Sequence, residues 1–316
     1  MSVQDMSMNQ KNNQTDTIAM LDRMDAMVDE KPLTWWTIAL IRLRKDKLTI
    51  AAFVVLLLIT ILCVGAGLIS EYILHVGPDD TDILATFATP SPEHWLGTDS
   101  VGRDQLSRLL YGGRVSLAIG TVGSIFTLVL GISIGMSAAY FGKRVDDVIM
   151  WFINTLSSIP SLFLLLILGA LFNVTPTVLT LLFGFLGWPF ISRLVRSSVY
   201  SLKEREFIIA SQALGASDIT IMFRHILPNV LPVVIIATAR RIGTLILSES
   251  ALSFLGFGVQ PPTATWGSML TKAQQFILIP HARHLVVAPG VMIATTVLCL
   301  YIIGDGLRDA LDPRLK

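Results

Sequence analysis

The sequence predicts an all-α protein that crosses a membrane six times and carries one long helical loop outside the membrane. Hydrophobic residues make up 53% of the 316 residues and charged residues only 15%, and the mean hydropathy is +0.66. These values are typical of a polytopic membrane protein and exclude an ordinary soluble domain of this length. A helix needs about 20 apolar residues to span a bilayer. Such stretches lie at residues 48–69, 115–142, 148–192, 231–256 and 285–304.

The stretch 148–192 is long enough for two spans. Asn173, Val174, Thr175 and Pro176 form a turn signal that divides it. Pro160 and Pro189 predict kinks in the two halves, which serve either gating or packing. The chain therefore has six predicted spans, and an even number places both termini on the same side of the membrane.

Basic residues are concentrated on one side of these spans. Those on the richer side are Lys31, Arg42, Arg44, Lys45, Lys47, Lys143, Arg144, Arg193, Arg196, Lys203, Arg205, Arg224, Arg308, Arg314 and Lys316. The opposite loops carry only Arg103, Arg108, Arg114, Lys272 and Arg283. The positive-inside rule then predicts that both termini and the loop 193–228 are cytoplasmic.

The N-terminal part divides into a tail and a first span. Residues 1–33 are polar and lack an apolar signal-peptide core, so a cytoplasmic tail and an uncleaved first span are predicted. Residues 34–47, with Trp35 and Trp36, predict an interfacial helix, or else a simple flank to the span. Residues 48–114 would hold the first span and an external loop, and residues 305–316 a cytoplasmic tail. Cys63 and Cys299 lie in spans, where cysteine packs as a small hydrophobe.

The loop 203–228 predicts two short helices that meet at a bend. The first helix covers residues 203–214, and Gly215 supplies the backbone freedom that a helix end requires. Ser217 or Asp218 can cap a second helix, which is predicted to end before Pro228. The exposed corner near residues 213–219 would either enter a groove on another protein or lie on the bilayer surface.

This loop resembles the coupling loop of ABC-importer permeases. Ala210, Gly215, Leu227 and Pro228 match the family pattern at the expected spacing, whereas Ile209 stands where the family has Glu. Ser211 and His225 are further departures. The resemblance implies that an ATPase contacts the loop through Ala210, Ser211, Ala213, Leu214, Gly215, Ala216, Ser217, Asp218, Ile219, His225, Leu227 and Pro228.

Segments 94–104, 111–117, 248–258 and 304–314 resemble, in order, the C-type permease of dipeptide, oligopeptide and nickel ABC importers. The resemblance implies a permease core at residues 115–304 in a bacterial or archaeal plasma membrane. The implied partners are a homologous permease, two cytoplasmic ATPases, an external solute-binding protein and membrane lipid, with no nucleic acid. The implied substrates are di- or oligopeptides; nickel complexes and peptide-like or sugar ligands remain alternatives.

A membrane protein of this composition could also be a secondary transporter or a membrane-embedded enzyme. The chain has no GxxxxGK[ST] phosphate loop, so ATP and Mg²⁺ are expected on the partner ATPases, and no cofactor or enzymatic activity is predicted for this chain. A secondary transporter would normally show inverted repeats and more spans. A membrane enzyme would need HExxH or paired carboxylates, and Glu249 is the only acidic residue within a predicted span.

Arg240, Arg241 and Glu249 lie in the fifth predicted span, where charges are costly and usually face a cavity or a partner. They would either line a translocation path that receives an anionic group, or the arginines would lie at a cytoplasmic vestibule while Glu249 caps or pairs with a neighbour. The resemblance of residues 248–258 to the family implies a role for Glu249 at the subunit interface. His281 and His284 have metal-ligand spacing without carboxylate support, so docking is favoured over metal binding.

External loops 77–92 and 260–283 are predicted to contact a binding protein, or else to be irregular and solvated. The first loop contains Asp79, Asp80 and Asp82, and the second contains Trp266.

Overall fold

The computed structural model describes residues 35–311. The predicted tail 1–33 and the last five residues of the predicted tail 305–316 lie outside the described residues. Within that range the protein is helical, its only extended pairing being an isolated bridge between Thr98 and Asp104, and the all-α prediction is confirmed. The main helices are α1 Trp35–Leu43, α2 Lys47–Val64, α3 Gln105–Phe141, α4 Lys143–Ser157, α5 Ser161–Leu171, α6 Pro176–Lys203, α7 Glu206–Ala213, α8 Leu227–Phe254, α9 Trp266–Gln274 and α10 His284–Leu311.

In the described part of the chain, five helical segments are long and apolar enough to cross a membrane, namely α2, α3, α6, α10 and the continuous segment Asp218–Phe254 that contains α8. Helices α4 and α5 together form a sixth candidate, bent by 76°. The predicted number of spans is reached when this bent pair counts as one crossing. The bend lies at Pro160, whose extended ψ of 128° precedes α5. Pro189, in contrast, lies inside the unbroken helix α6.

Several helices extend further than the apolar stretches predict. Helix α3 begins ten positions before the predicted residue 115, α6 continues past 192 to Lys203, and α10 continues past 304 to Leu311. Hydropathy marks only the part of a helix that lies in hydrocarbon. The backbone hydrogen bonds continue until a cap ends them, as at Asp104, whose carboxylate accepts from the Ser107 amide at 2.7 Å.

The predicted end of the second loop helix before Pro228 is wrong, whereas the start of the fifth span near residue 231 stays a prediction. Short helical turns at Asp218–Thr220 and Ile221–Ile226 join α8 without a break. The turn Ile221–Ile226 is π-helical, a widened geometry often found where a regular helix is interrupted. Pro228 has no backbone N–H to donate. Beside it, the Asn229 side chain donates to the His225 carbonyl at 2.7 Å.

The helix predicted over 34–47 ends at Leu43 instead. Asp46 interrupts it and caps α2, because its carboxylate accepts from the amides of Leu48 at 3.0 Å and Thr49 at 3.3 Å. A hydrogen bond from the Thr49 hydroxyl, with these amides, lowers the pKa of Asp46. The Arg42 guanidinium donates to the Ala310 carbonyl at 3.4 Å, so α1 packs against the end of α10.

Helix α3 lies at the centre of the molecule and packs along most of α6. Glycines permit the close approach: a Cβ at Gly135 would lie 2.9 Å from the Ser192 Cα, and one at Gly131 would overlap Ile191. A buried cluster joins α3 and α6 to the loop 203–228. Its members include Ile191, Ile208 and Ile221. The loop therefore shares a core with the membrane helices.

Candidate functional site: the loop corner and the membrane charges

The corner of the long loop, residues 213–219, presents apolar side chains to solvent. Helix α7 ends at Ala213, and Gly215 has a φ of +80°, a left-handed conformation that favours glycine. Ser217 then caps the next helical turn by accepting from the Thr220 amide at 3.3 Å. Leu214 is 89% exposed and Ile219 71% exposed. Two large apolar side chains thus project into solvent from a bend whose shape is set by the backbone at Gly215 and by the Ser217 cap.

The base of the loop is held against the ends of α3 and α6. We define the loop base as Tyr140, Lys203, Ile208, Asp218 and Ile221. The Tyr140 hydroxyl donates to the Asp218 carboxylate at 2.7 Å, and the Lys203 ammonium donates to the carbonyls of Ala139 at 3.1 Å and Tyr140 at 2.7 Å. Ile208 and Ile221 are fully buried beneath these contacts.

An ion pair extends this connection to α4. The Arg196 guanidinium donates to both oxygens of Asp146, at 2.5 and 2.6 Å, and the Tyr200 hydroxyl donates to the same carboxylate at 2.8 Å. Such bidentate pairs fix relative orientation as well as contributing energy. Sequence reasoning missed Tyr140, Asp146 and Arg196 in this role, because their partners lie between 50 and 78 positions away.

The structure brings only part of the predicted coupling set to one surface. Ala210, Ala213, Leu214, Gly215, Ser217, Asp218 and Ile219 are exposed, and Ser211 and Ala216 are half-buried beside them. His225, Leu227 and Pro228 are half-buried in the helical segment that leads into the membrane. Contact of these residues with an ATPase stays a prediction.

Glu249 lies in the packed interior, with no exposed surface. Its carboxylate accepts from the hydroxyls of Thr265 at 2.6 Å and Ser253 at 2.8 Å. Thr265 is the N-cap of α9, so the carboxylate lies at the positive end of that helix. In this structure Glu249 therefore connects α8 to α9, and it does not face a cavity with the arginines.

The two membrane arginines differ in their surroundings. Arg240 forms an ion pair with Asp305 of α10. Arg241 has a buried Nε and makes no hydrogen bond or ion pair with any residue that the structure describes. Both arginines border a cleft of about 570 Å³ between α6, α8 and α10. Their place in a translocation path stays a prediction.

The predicted external loops are more ordered than their composition indicates. Asp79 accepts from Arg108 at 2.9 Å, Asp80 accepts from the Gly77 amide at 2.6 Å, and Asp82 caps a 3₁₀ turn. These acidic groups are thus engaged within the chain. Burial near this cluster lowers the pKa of Lys272, and the charges of Arg103 and Arg108 lower it further.

The prediction of an irregular loop over 260–283 is wrong, since α9 lies within it. Trp266 is fully buried, its indole donates to the Leu109 carbonyl at 2.9 Å, and it is not available to a binding protein. Thr265 and Ser268 form a reciprocal capping box, a signal that the sequence contained. His284 packs against Gly97, and the side chain of His281 lies outside the described residues.

Comparison with known proteins defines the class to which this fold and loop belong. A family described as "Binding-protein-dependent transport system inner membrane component" matches residues 131–316, more than half of the chain. A second description, "N-terminal TM domain of oligopeptide transport permease C", matches residues 34–90. The chain belongs to the first family. It is a multi-pass inner-membrane permease subunit of an ABC importer and is not itself an enzyme.

Individual relatives are similar over nearly the whole chain. The dipeptide transport system permease protein DppC of Alkalihalophilus pseudofirmus is 37% identical over 89% of this chain and 90% of its own. The oligopeptide transport system permease protein OppC of Escherichia coli is 34% identical over 98% and 99%, respectively. The solved inward-facing MetNI methionine ABC transporter matches 65% of this chain and 96% of its own, with a TM-score of 0.53 and 20% identity, which supports the fold.

Proposed function

We propose that this chain forms, with a homologous permease, the membrane path of a peptide importer, and that two cytoplasmic ATPases drive it through the loop 203–228. An external solute-binding protein would deliver the substrate, and ATP and Mg²⁺ would bind to the ATPases. Both termini would be cytoplasmic. The observation that carries this proposal is the exposed apolar corner, where Leu214 and Ile219 project from a firmly held base.

The physical support is a combination of exposure and connection. An apolar corner of this kind fits the helix-in-groove mode of recognition, in which a few anchors enter a hydrophobic groove. Hydrogen bonds and buried isoleucines of the loop base join the corner to α3 and α6, so the base would carry a displacement of the corner to these helices. Closure of the ATPases would therefore shift the loop and these helices together, as in other rigid-body switching transitions.

Two leucines allow a matched test of the corner. Leu214→Asp places a charge on the corner, and Leu84→Asp places the same charge on an external leucine that is 97% exposed. Each variant is purified from native membranes in mild detergent, and the co-purifying proteins are quantified by mass spectrometry. We expect Leu214→Asp to lose most of its P-loop ATPase, because a buried unpaired carboxylate is costly, while Leu84→Asp retains it. Equal ATPase recovery from both variants would refute docking at the corner.

The substrate class is proposed from the relatives named for dipeptide and oligopeptide transport. Nickel complexes and peptide-like or sugar ligands remain the alternatives. The test is uptake of a radiolabelled tripeptide by cells that lack this chain and by cells in which it is restored. Peptide uptake that is unchanged by the deletion, with loss of nickel or sugar uptake, would replace the peptide assignment.

A further inference from the structure

Arg241 is a cation of the membrane domain that has no counter-ion within residues 35–311. Its Nε is buried, and the guanidinium has no acid or other hydrogen-bond partner among the described residues. Arg241 as a whole is half-buried, and a charge that is largely removed from water is costly unless it is paired. The neighbouring Arg240 shows the alternative, since it is paired with Asp305. Arg241 is therefore a site where an anion would be stabilised.

The surrounding helix leaves room for this guanidinium. A Cβ at Gly187 of α6 would lie 2.5 Å from the Arg241 Nη2 and 2.6 Å from the Thr127 Oγ1. Any larger residue at position 187 would push the arginine away. The absence of a side chain at Gly187 thus sets where the charged group lies.

The cleft beside Arg241 has the size and polarity of a small-ligand site. Its volume of about 570 Å³ lies within the range of about 300–1,000 Å³ that is usual for such sites. Phe190, Leu194, Val233 and Ile236 contribute apolar walls. Arg240, Arg241 and Arg308 border it, and among the residues that the structure describes Asp305 forms an ion pair with the first of these and not with the other two. An apolar wall with unbalanced positive charge fits an anion that carries an apolar body.

We infer that Arg241 and this cleft form a subsite for the carboxylate of an apolar substrate, such as the C-terminus of a hydrophobic peptide. The inference rests on the proposed function for the identity of the substrate. The guanidinium would bind the carboxylate through paired N–H donors. Apolar side chains of the peptide would contact the walls formed by α6 and α8.

The experiment compares two forms of one ligand. The complete transporter, in nucleotide-free nanodiscs of phosphatidylcholine, is titrated with radiolabelled Phe-Ala-Phe and with its C-terminal amide. We expect the acid to bind about tenfold more tightly than the amide, the effect of one charge-assisted interaction. In Arg241→Gln the acid should bind no better than the amide, whereas Arg241→Lys should retain part of the preference.

Two further variants separate position from charge. Gly187→Ala keeps the arginine but displaces it, so it should reduce the preference for the acid. Arg144→Gln removes an exposed cation of α4 outside the cleft and should leave the tenfold preference intact. A preference for the acid that persists in Arg241→Gln would overturn the inference, as would equal binding of acid and amide by the unaltered protein.

Other sources of an anion give different results. Loss of the partner permease from the Arg241→Gln complex would show that the guanidinium pairs with an acid of that subunit, which would overturn the subsite. Retention of phosphatidylglycerol by the unaltered protein but not by Arg241→Gln, without a peptide preference, would assign the site to a lipid phosphate. Either result replaces the substrate carboxylate.

Failure of the proposed function can be recognised separately. A complex that transports no peptide refutes the peptide assignment, and N-acetylphenylalanine and its amide then serve as the probes of the cleft. A preference for the acid that depends on Arg241 would retain the carboxylate subsite. Its absence would remove the subsite as well.

Discussion

At the scale of single residues, Gly215 sets the shape of the exposed corner through its backbone and not through close packing. Its φ is +80°, and a Cβ at this position would meet nothing within 4 Å. A substitution there is consequently opposed by conformational strain alone, of about 1–2 kcal/mol for most residues. Asn visits this conformation more readily than a β-branched residue does.

This difference predicts that two variants of Gly215 differ in their rate of peptide uptake. Gly215→Val should lower peptide uptake severalfold at unchanged protein levels, because the strained bend relaxes and moves Leu214. Gly215→Asn should retain most of the uptake. The measurement is initial uptake rate, normalised to the amount of protein in the membrane by immunoblot. Undiminished uptake by Gly215→Val would count against a fixed corner.

Glu249 gives a prediction about stability. Glu249→Ala removes the acceptor of the Thr265 and Ser253 hydroxyls and leaves them buried, at a cost of about 1–3 kcal/mol. Glu249→Gln keeps an acceptor oxygen and should lose less. Thermal unfolding of the detergent-solubilised protein is followed by tryptophan fluorescence. The unfolding temperature should be highest for the unaltered protein, lower for the Gln variant and lowest for the Ala variant. An Ala variant as stable as the Gln variant would contradict the role assigned to this carboxylate.

At the scale of secondary-structure elements, the loop base joins the corner to three membrane helices. Tyr140 lies at the end of α3, Lys203 at the end of α6, and Asp218 where the helix into the fifth span begins. Each is positioned by contacts to another element. The loop is therefore an extension of the membrane helices and not a flexible connector.

Removing one hydroxyl tests this connection. Tyr140→Phe should preserve the buried ring but break the bond to Asp218, so ATP hydrolysis should continue while peptide transported per ATP falls about twofold or more, the effect of a bond of about 0.5–1.5 kcal/mol. In Asp218→Asn, which keeps an acceptor for the Tyr140 hydroxyl, the peptide transported per ATP should fall less. Transport and ATPase rates are measured together in proteoliposomes. A proportional loss of both rates would indicate weakened ATPase binding instead.

The sequence predicted the existence of most elements better than their ends. Hydropathy located the long apolar helices, and Gly215 and Ser217 located the bend. The sequence did not show that the helical segment containing α8 begins at Asp218. Pro228 is normally a stop signal, and the widened turn Ile221–Ile226 before it has no sequence signature. Helix α9 was missed because a short buried helix that follows two prolines resembles a loop.

The candidate site was predictable in the same uneven way. The corner follows from local pattern, since all its features lie within a few positions of one another. The loop base depends on pairs that are distant in sequence, and no local pattern identifies which tyrosine meets which aspartate. Arg240 and Arg241 are adjacent in sequence, yet the packing of α10 and α6 gives Arg240 a partner and gives Arg241 none in the described part of the chain.

At the scale of the whole molecule, the distribution of basic residues predicts which face is cytoplasmic. Leu84 lies in the predicted external loop and Leu214 in the predicted cytoplasmic loop, and both are almost fully exposed. In intact cells, a membrane-impermeant maleimide should label Leu84→Cys and not Leu214→Cys, and lysis should make the second reactive. Cys63 and Cys299 are buried and should give little background. The reverse pattern would invert the topology.

The unbroken helical segment Asp218–Phe254 has a mechanical consequence. Its 37 residues correspond to about 55 Å, which places the exposed corner and the Glu249 contact near opposite ends of one lever. A tilt of about 10° around the midpoint would move each end about 5 Å in opposite directions. A displacement of the corner would thus displace α9 in the same motion, because both contact one rigid helical segment.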